Sequence, residues 1–118
     1  MSNRTNLKVL VVDGDGTVRR SLVNAVEAAG WTAAQAATAA DARSRLEGFA
    51  YDGLILDARL PDGDGLDVFE DARRRYPGLQ AVVTTGFASV HQAVKALKAG
   101  ACDYLRSEER RVGKECRL

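Results

Sequence analysis

At 118 residues the chain has room for one domain with one hydrophobic core. Its 46% hydrophobic and 28% charged residues suit a soluble globular domain and exclude a disordered segment, and no apolar stretch approaches the roughly 18 residues of a membrane span. The formal net charge of +1 argues against a nucleic-acid surface in this segment, and residues 1–6 lack the apolar run of a signal peptide, so a cytoplasmic address away from any membrane is expected.

Apolar runs alternate with amphipathic stretches, the pattern of repeated strand–helix–strand units. Residues 7–13 (LKVLVVD) read as a buried strand. A helix follows with Val18, Leu22, Val26 and Ala29 on one face and Gly30 as its stop. Residues 31–36 are a weaker strand, rich in Ala. Thr38 is placed to cap a helix carrying Ala42, Leu46 and Phe49. Residues 52–57 form the third strand, Leu66, Phe69, Ala72 and Tyr76 mark the next helix, and residues 79–84 the fourth strand. Val90, Ala93, Val94 and Leu97 give another apolar stripe, and residues 101–105 a short fifth strand.

The alternation breaks there. Residues 106–118 (RSEERRVGKECRL) hold five Lys/Arg and three Glu, so residues 1–105 carry a net −1. Only Val112, Cys116 and Leu118 are apolar, too few for an amphipathic fifth helix. The string RSEERRVGKEC resembles the conceptual translation of a common short-read sequencing adapter. The expected division is therefore a domain over residues 1–105 and a non-native charged tail over 106–118. Cys102 and Cys116 show no metal-ligand spacing, and His91 no partner at such a spacing. Arg73-Arg74-Arg75 reads as a solvated helix end, where cations suit the dipole.

Chemistry concentrates at two strand ends. Asp57 closes the run Leu54-Ile55-Leu56 and faces Arg59-Leu60-Pro61-Asp62-Gly63-Asp64-Gly65; Asp13 closes the first strand and leads into Gly14-Asp15-Gly16. Carboxylates at the carboxyl ends of buried parallel strands sit where open α/β sheets carry their sites. Two of them on one sheet suggest a pocket for a hard cation and a phosphoryl group. The DGDG segment lacks the later ligands of a calcium loop and reads as a turn and helix start.

In order and spacing, VLVVDGDGTVRRSL, LILDARLPDGDGL and VVTTGFASVHQAVKALKAGACDYL resemble the receiver domain of two-component response regulators (CheY-like), over residues 7–105 and nearest the nitrogen-regulator type. The resemblance implies an α/β, doubly wound, flavodoxin-like fold with a five-stranded parallel sheet in the order 2-1-3-4-5. With the fifth helix missing or unformed, part of one sheet face is uncovered, so low stability and self-association, with a dimer as one form of it, are expected. It implies that Asp57 accepts a phosphoryl group from a sensor histidine kinase. Mg²⁺ would be held by Asp13, Asp57 and the backbone carbonyl of Arg59. Thr85 and Tyr104 would act as the switch toward an output domain or partner protein not in this chain; Thr84 is set aside as one residue out of phase.

Two departures from that family pattern stand out. Gly14 occupies the position of a second acidic residue that normally reaches the metal, with Asp15 as its substitute if its side chain turns the right way. The lysine and proline expected after Leu105 are replaced by Arg106, Ser107 and Glu108. Both leave room for a pseudo-receiver that binds partners without phosphorylation. A third reading takes Asp13-Gly14-Asp15-Gly16-Thr17 as the DxDGT signature of haloacid-dehalogenase-type phosphatases, with Asp13 as nucleophile. It gives no role to Asp57.

Overall fold

The computed structural model describes residues 7–84, together with Ala93, Val94, Leu97 and the backbone of Glu115–Arg117. The order is β1 (Lys8–Val12), α1 (Gly16–Ala28), β2 (Thr32–Ala36), α2 (Ala39–Gly48), β3 (Gly53–Asp57), β4 (Arg59–Leu60), β5 (Gly63–Asp64), α3 (Gly65–Arg75), β6 (Gln80–Thr84) and β7 (Glu115–Arg117). One five-stranded sheet runs β2-β1-β3-β6-β7, with every pair parallel; β4 and β5 form a separate antiparallel hairpin. The parallel α/β sheet and the order of its first four strands, β2-β1-β3-β6, agree with the expected order.

Period-two alternation divides the core between the two faces of the sheet. Val9, Val11, Ile55 and Val82 point to one side, where Leu22, Val23 and Val26 of α1 meet Ala93, Val94 and Leu97. Leu10, Val12, Leu54, Leu56, Ala81 and Val83 point to the other, against α2 and α3 through Ala42, Leu46, Val68 and Phe69. Val9, Leu10, Val11 and Val12 are fully buried. Each side chain of that kind contributes about 1.5–3 kcal/mol on burial, so continuous apolar runs settle where the central strands lie. Gly53 starts β3 because a Cβ there would stand 3.0 Å from Leu97 Cδ2.

The helix ends follow local chemistry. Thr38 caps α2 as expected, its hydroxyl accepting from Asp41 N at 3.0 Å. Gly30 takes a φ of 91° just past α1, a left-handed conformation that favours glycine. The phenolic O–H of Tyr76, at the end of α3, donates to the carbonyl of Leu46 in α2 at 2.7 Å and ties the two helices together.

Three expectations are corrected. Val18 lies on the exposed side of α1, and Val23 takes its place in the buried stripe. Phe49 falls beyond α2 and is exposed, its ring edge-on to Tyr51 with a centroid separation of 4.8 Å. The sheet position expected for residues 101–105 is filled by β7, through Ala81↔Glu115, Val82↔Cys116 and Val83↔Arg117. A sheet edge recruits backbone whatever the side chains, and charged residues are ordinary on an edge strand. Residues 101–105 themselves lie outside the described residues.

Candidate functional site

Parallel pairing brings the two acidic strand ends together. Val12 and Leu56 are Cα partners, so Asp13 and Asp57 leave the same edge of the sheet on neighbouring strands. Such strands lie about 4.8 Å apart. Both residues follow the parity of Val11 and Ile55, and both tips therefore start on the α1 side. Asp13 is 5% exposed, one of two buried polar residues among those described. Its carboxyl pKa is raised, first by burial and then by the negative charges of Asp57 and Asp15, against the lowering effects of the Asp15 N–H and of Arg19. Asp13 Oδ1 accepts from Asp15 N at 2.9 Å, and Asp57 Oδ1 from Arg59 N at 3.1 Å. Each carboxylate is thus oriented by the first turn of its own loop.

Around this pair the helices begin, and acidic side chains hold their starts. Asp15 Oδ1 accepts from Thr17 N at 2.9 Å and Val18 N at 3.2 Å, and Asp64 Oδ1 from Leu66 N at 2.9 Å. The carboxylate suggested as a substitute metal ligand, Asp15, is therefore turned toward the start of α1. Among the described residues no three His, Cys, Asp or Glu side chains gather as a metal group. Asp13 and Asp57 remain as a pair of oxygen donors whose mutual repulsion a hard divalent cation relieves. That donor chemistry fits Mg²⁺, which needs only one or two carboxylates.

Gly14 has a packing role beside its missing carboxylate. A Cβ at this position would stand 3.0 Å from both Cγ and Cδ of Pro61, so the loop after β3 closes directly over the loop after β1. Gly65 is more constrained still: a Cβ there would come within 2.0 Å of the Asp57 carbonyl oxygen. Its N–H donates to Ala58 O at 2.8 Å, which folds α3 back against the Asp57 loop.

Thr84 pairs in register with Asp57 and is 7% exposed, and Ala58 N donates to its carbonyl at 2.9 Å. Thr85, the preferred switch hydroxyl, lies outside the described residues, as do Tyr104, His91, Cys102 and the segment after Leu105 where the lysine was expected.

Two residues near the site have roles that the sequence did not assign, Asp62 having been read only as part of a turn. Arg19 donates from Nη1 to Asp13 O at 2.8 Å and from Nε to Gln35 Oε1 at 3.1 Å, clamping the first loop to the end of β2. Asp62, at the tip of the β4–β5 hairpin, accepts from Ala39 N at 2.6 Å and Ala40 N at 3.0 Å. Both join segments far apart in the chain, a relation that spacing does not carry.

The response regulator receiver domain model matches residues 9–111. The chain belongs to the response regulator receiver domain family. Among curated relatives, the alginate biosynthesis transcriptional regulatory protein AlgB of Pseudomonas putida is 35% identical over 98 residues, covering 83% of this chain and 22% of that protein. The photosynthetic apparatus regulatory protein RegA of Rhodovulum sulfidophilum is 38% identical over 97 residues, covering 82% of this chain and 53% of that protein. The receiver thus spans about a fifth to a half of these regulators. Among solved structures, a CheY-like receiver from Methanospirillum hungatei superposes with a TM-score of 0.66 at 28% identity, covering 88% of this chain and 91% of that one. A Burkholderia pseudomallei response regulator with a phosphorylated aspartic acid, calcium ion and citrate gives 0.65 at 26% identity, covering 80% of this chain and 56% of that one. Family membership and the helix-capping role of Asp15 leave the phosphatase reading without support.

Proposed function

We propose that this receiver accepts a phosphoryl group on Asp57 from the phosphohistidine of a sensor histidine kinase. The carrying observation is the convergence of Asp13 and Asp57 at one sheet edge, with Asp13 buried and its pKa raised partly by Asp57. Arg59 N–H holds Asp57 Oδ1, and the second oxygen, Oδ2, attacks phosphorus. The new O–P bond replaces the N–P bond of the donor, whose imidazole leaves. The carboxylates of Asp13 and Asp57 and the backbone carbonyl of Arg59 are the groups that would hold Mg²⁺, which supplies positive charge against the anionic phosphoryl group. The Burkholderia neighbour, with its phosphorylated aspartic acid and calcium ion, supports a carboxylate acceptor beside a divalent cation.

Downstream, Thr85 and Tyr104 are the proposed switch pair, shifting population toward a state that binds an output domain or partner. The proposed setting is the cytoplasm. The domain acts as a switch within a longer regulator, in keeping with the transcriptional regulators it resembles. A pseudo-receiver reading draws on one observation: Pro61 fills the space beside Gly14, where an acidic ligand belongs.

A small phosphodonor such as acetyl phosphate with Mg²⁺, followed by peptide mapping, tests the assignment. Label on Asp57 that disappears in D57N is expected. Label on Asp13, or none at saturating Mg²⁺, overturns it.

A further inference from the structure

The first turn of α2 is held by two different parts of the chain. Thr38 supplies its hydroxyl to Asp41 N, and its carbonyl accepts from Ala42 N at 3.0 Å. That leaves the first two N–H groups, of Ala39 and Ala40, which an isolated helix would present to water. Both donate instead to the carboxylate of Asp62, one to each oxygen. Asp62 sits between Pro61, which packs on Gly14, and Gly63, the first residue of β5. Its hairpin begins at Arg59, whose N–H orients Asp57.

We propose that Asp62 is a positioning residue that couples the acceptor loop to α2, so that a phosphoryl group arriving at Asp57 is felt at the start of that helix. The coupling rests on the reading of Asp57 as acceptor. The loop between Asp57 and Gly65 is closed at both ends, by Arg59 N on Asp57 and by Gly65 N on Ala58, and leaves little slack for the hairpin to absorb a shift. Charge-assisted hydrogen bonds are among the stronger ones, so Ala39 and Ala40 follow the carboxylate as it moves. Arg43 stands one turn further along α2 and pairs with Asp71 of α3. These two residues, with Leu46, Val68 and Arg75, line a cleft of about 400 Å³ between α2 and α3, on the face of the sheet opposite α1. A change at the start of α2 thereby reaches the surface between α2 and α3.

Backbone amide NMR during addition of Mg²⁺ and beryllofluoride, a phosphoryl mimic, tests the coupling in wild type and D62A. The amides of Arg59, Ala39 and Ala40 should all shift in wild type. In D62A the Arg59 shift should persist while the Ala39 and Ala40 shifts fall several-fold. If Arg59 responds in wild type while Ala39 and Ala40 stay still, the coupling is wrong although the acceptor stands. Equal Ala39 and Ala40 responses with and without the Asp62 carboxylate remove Asp62 from the path. Silence at Arg59 itself overturns the acceptor reading, and the coupling with it.

Discussion

Exchanging glycine for alanine at two places in one loop separates steric necessity from helix propensity. Gly65 is the first residue of α3, where propensity alone favours alanine by up to about 1 kcal/mol. The structure demands the opposite sign. A Cβ at position 65 would stand 2.0 Å from the Asp57 carbonyl oxygen and 3.0 Å from its carbonyl carbon, both backbone atoms that no rotamer change can move aside. Either α3 or the end of β3 has to shift by more than an ångström, breaking Gly65 N to Ala58 O on the way. Overpacking of this severity costs about 3 kcal/mol or more. Gly63, two residues earlier, is the control: its added Cβ meets only the Ala39 Cβ at 3.6 Å, an ordinary contact. In urea unfolding, with slopes of about 1–3 kcal/mol/M, G65A should lower the midpoint by roughly 1 M or more and G63A should leave it nearly unchanged. Phosphorylation of Asp57 in G65A should fall as well, because the displaced carbonyl belongs to the acceptor. A G65A midpoint equal to or above that of G63A would refute the steric argument and return position 65 to propensity.

Other outcomes follow from the same geometry. G14D restores a carboxylate beside Asp13 if Pro61 yields by a few tenths of an ångström. One unit charge pair at 4 Å is bounded by about 4 kcal/mol at an effective dielectric of about 20. After solvent compensation we expect Mg²⁺ affinity to rise about tenfold, near 1.4 kcal/mol, by isothermal titration; no gain would show that Pro61 keeps the position closed. Asp62 has its pKa lowered, first by the Ala39 N–H and then by that of Ala40, with Arg43 adding a smaller charge effect. Its contribution is therefore present above the ordinary carboxylate pKa of about 3.9 and is lost as pH falls through the lower folded value. Wild type should lose stability on acidification through that window more steeply than D62N, and equal slopes would contradict the cap. Y76F removes the phenolic hydrogen bond to the Leu46 carbonyl and should cost about 1 kcal/mol in unfolding free energy with Mg²⁺ affinity unchanged.

What the sequence makes legible is what burial writes into it. Residues 9–12 of β1 and 54–56 of β3 are unbroken apolar runs because both faces of the sheet are covered, and the aspartates that end them are conspicuous for that reason. Thr38 was legible as a cap because capping is local. The helix stripes were less certain guides. Val18 has the right spacing from Leu22, yet it sits in the first turn of α1 and is 39% exposed, outside the buried stripe of Leu22, Val23 and Val26. Phe49 continues the spacing of Leu46, but the helix has ended and the ring meets Tyr51 instead. Arg19 and Asp62 act across sequence separations of 16 and about 23 residues, on Gln35 and on Ala39. A surplus of aspartates in PDGDG was the visible trace of the second. The steric demand at Gly65 was equally hidden, since it depends on where the Asp57 carbonyl lies in space.

Phosphoryl acceptance at Asp57 depends most on one cation being shared by the ends of β1 and β3. Two backbone amides report on its two carboxylates separately, Asp15 N–H on Asp13 and Arg59 N–H on Asp57. A Mg²⁺ titration followed at both amides should give a single dissociation constant, and D13N or D57N should weaken the response at both. Two different constants, or a response at one amide that ignores loss of the other carboxylate, would contradict a common site.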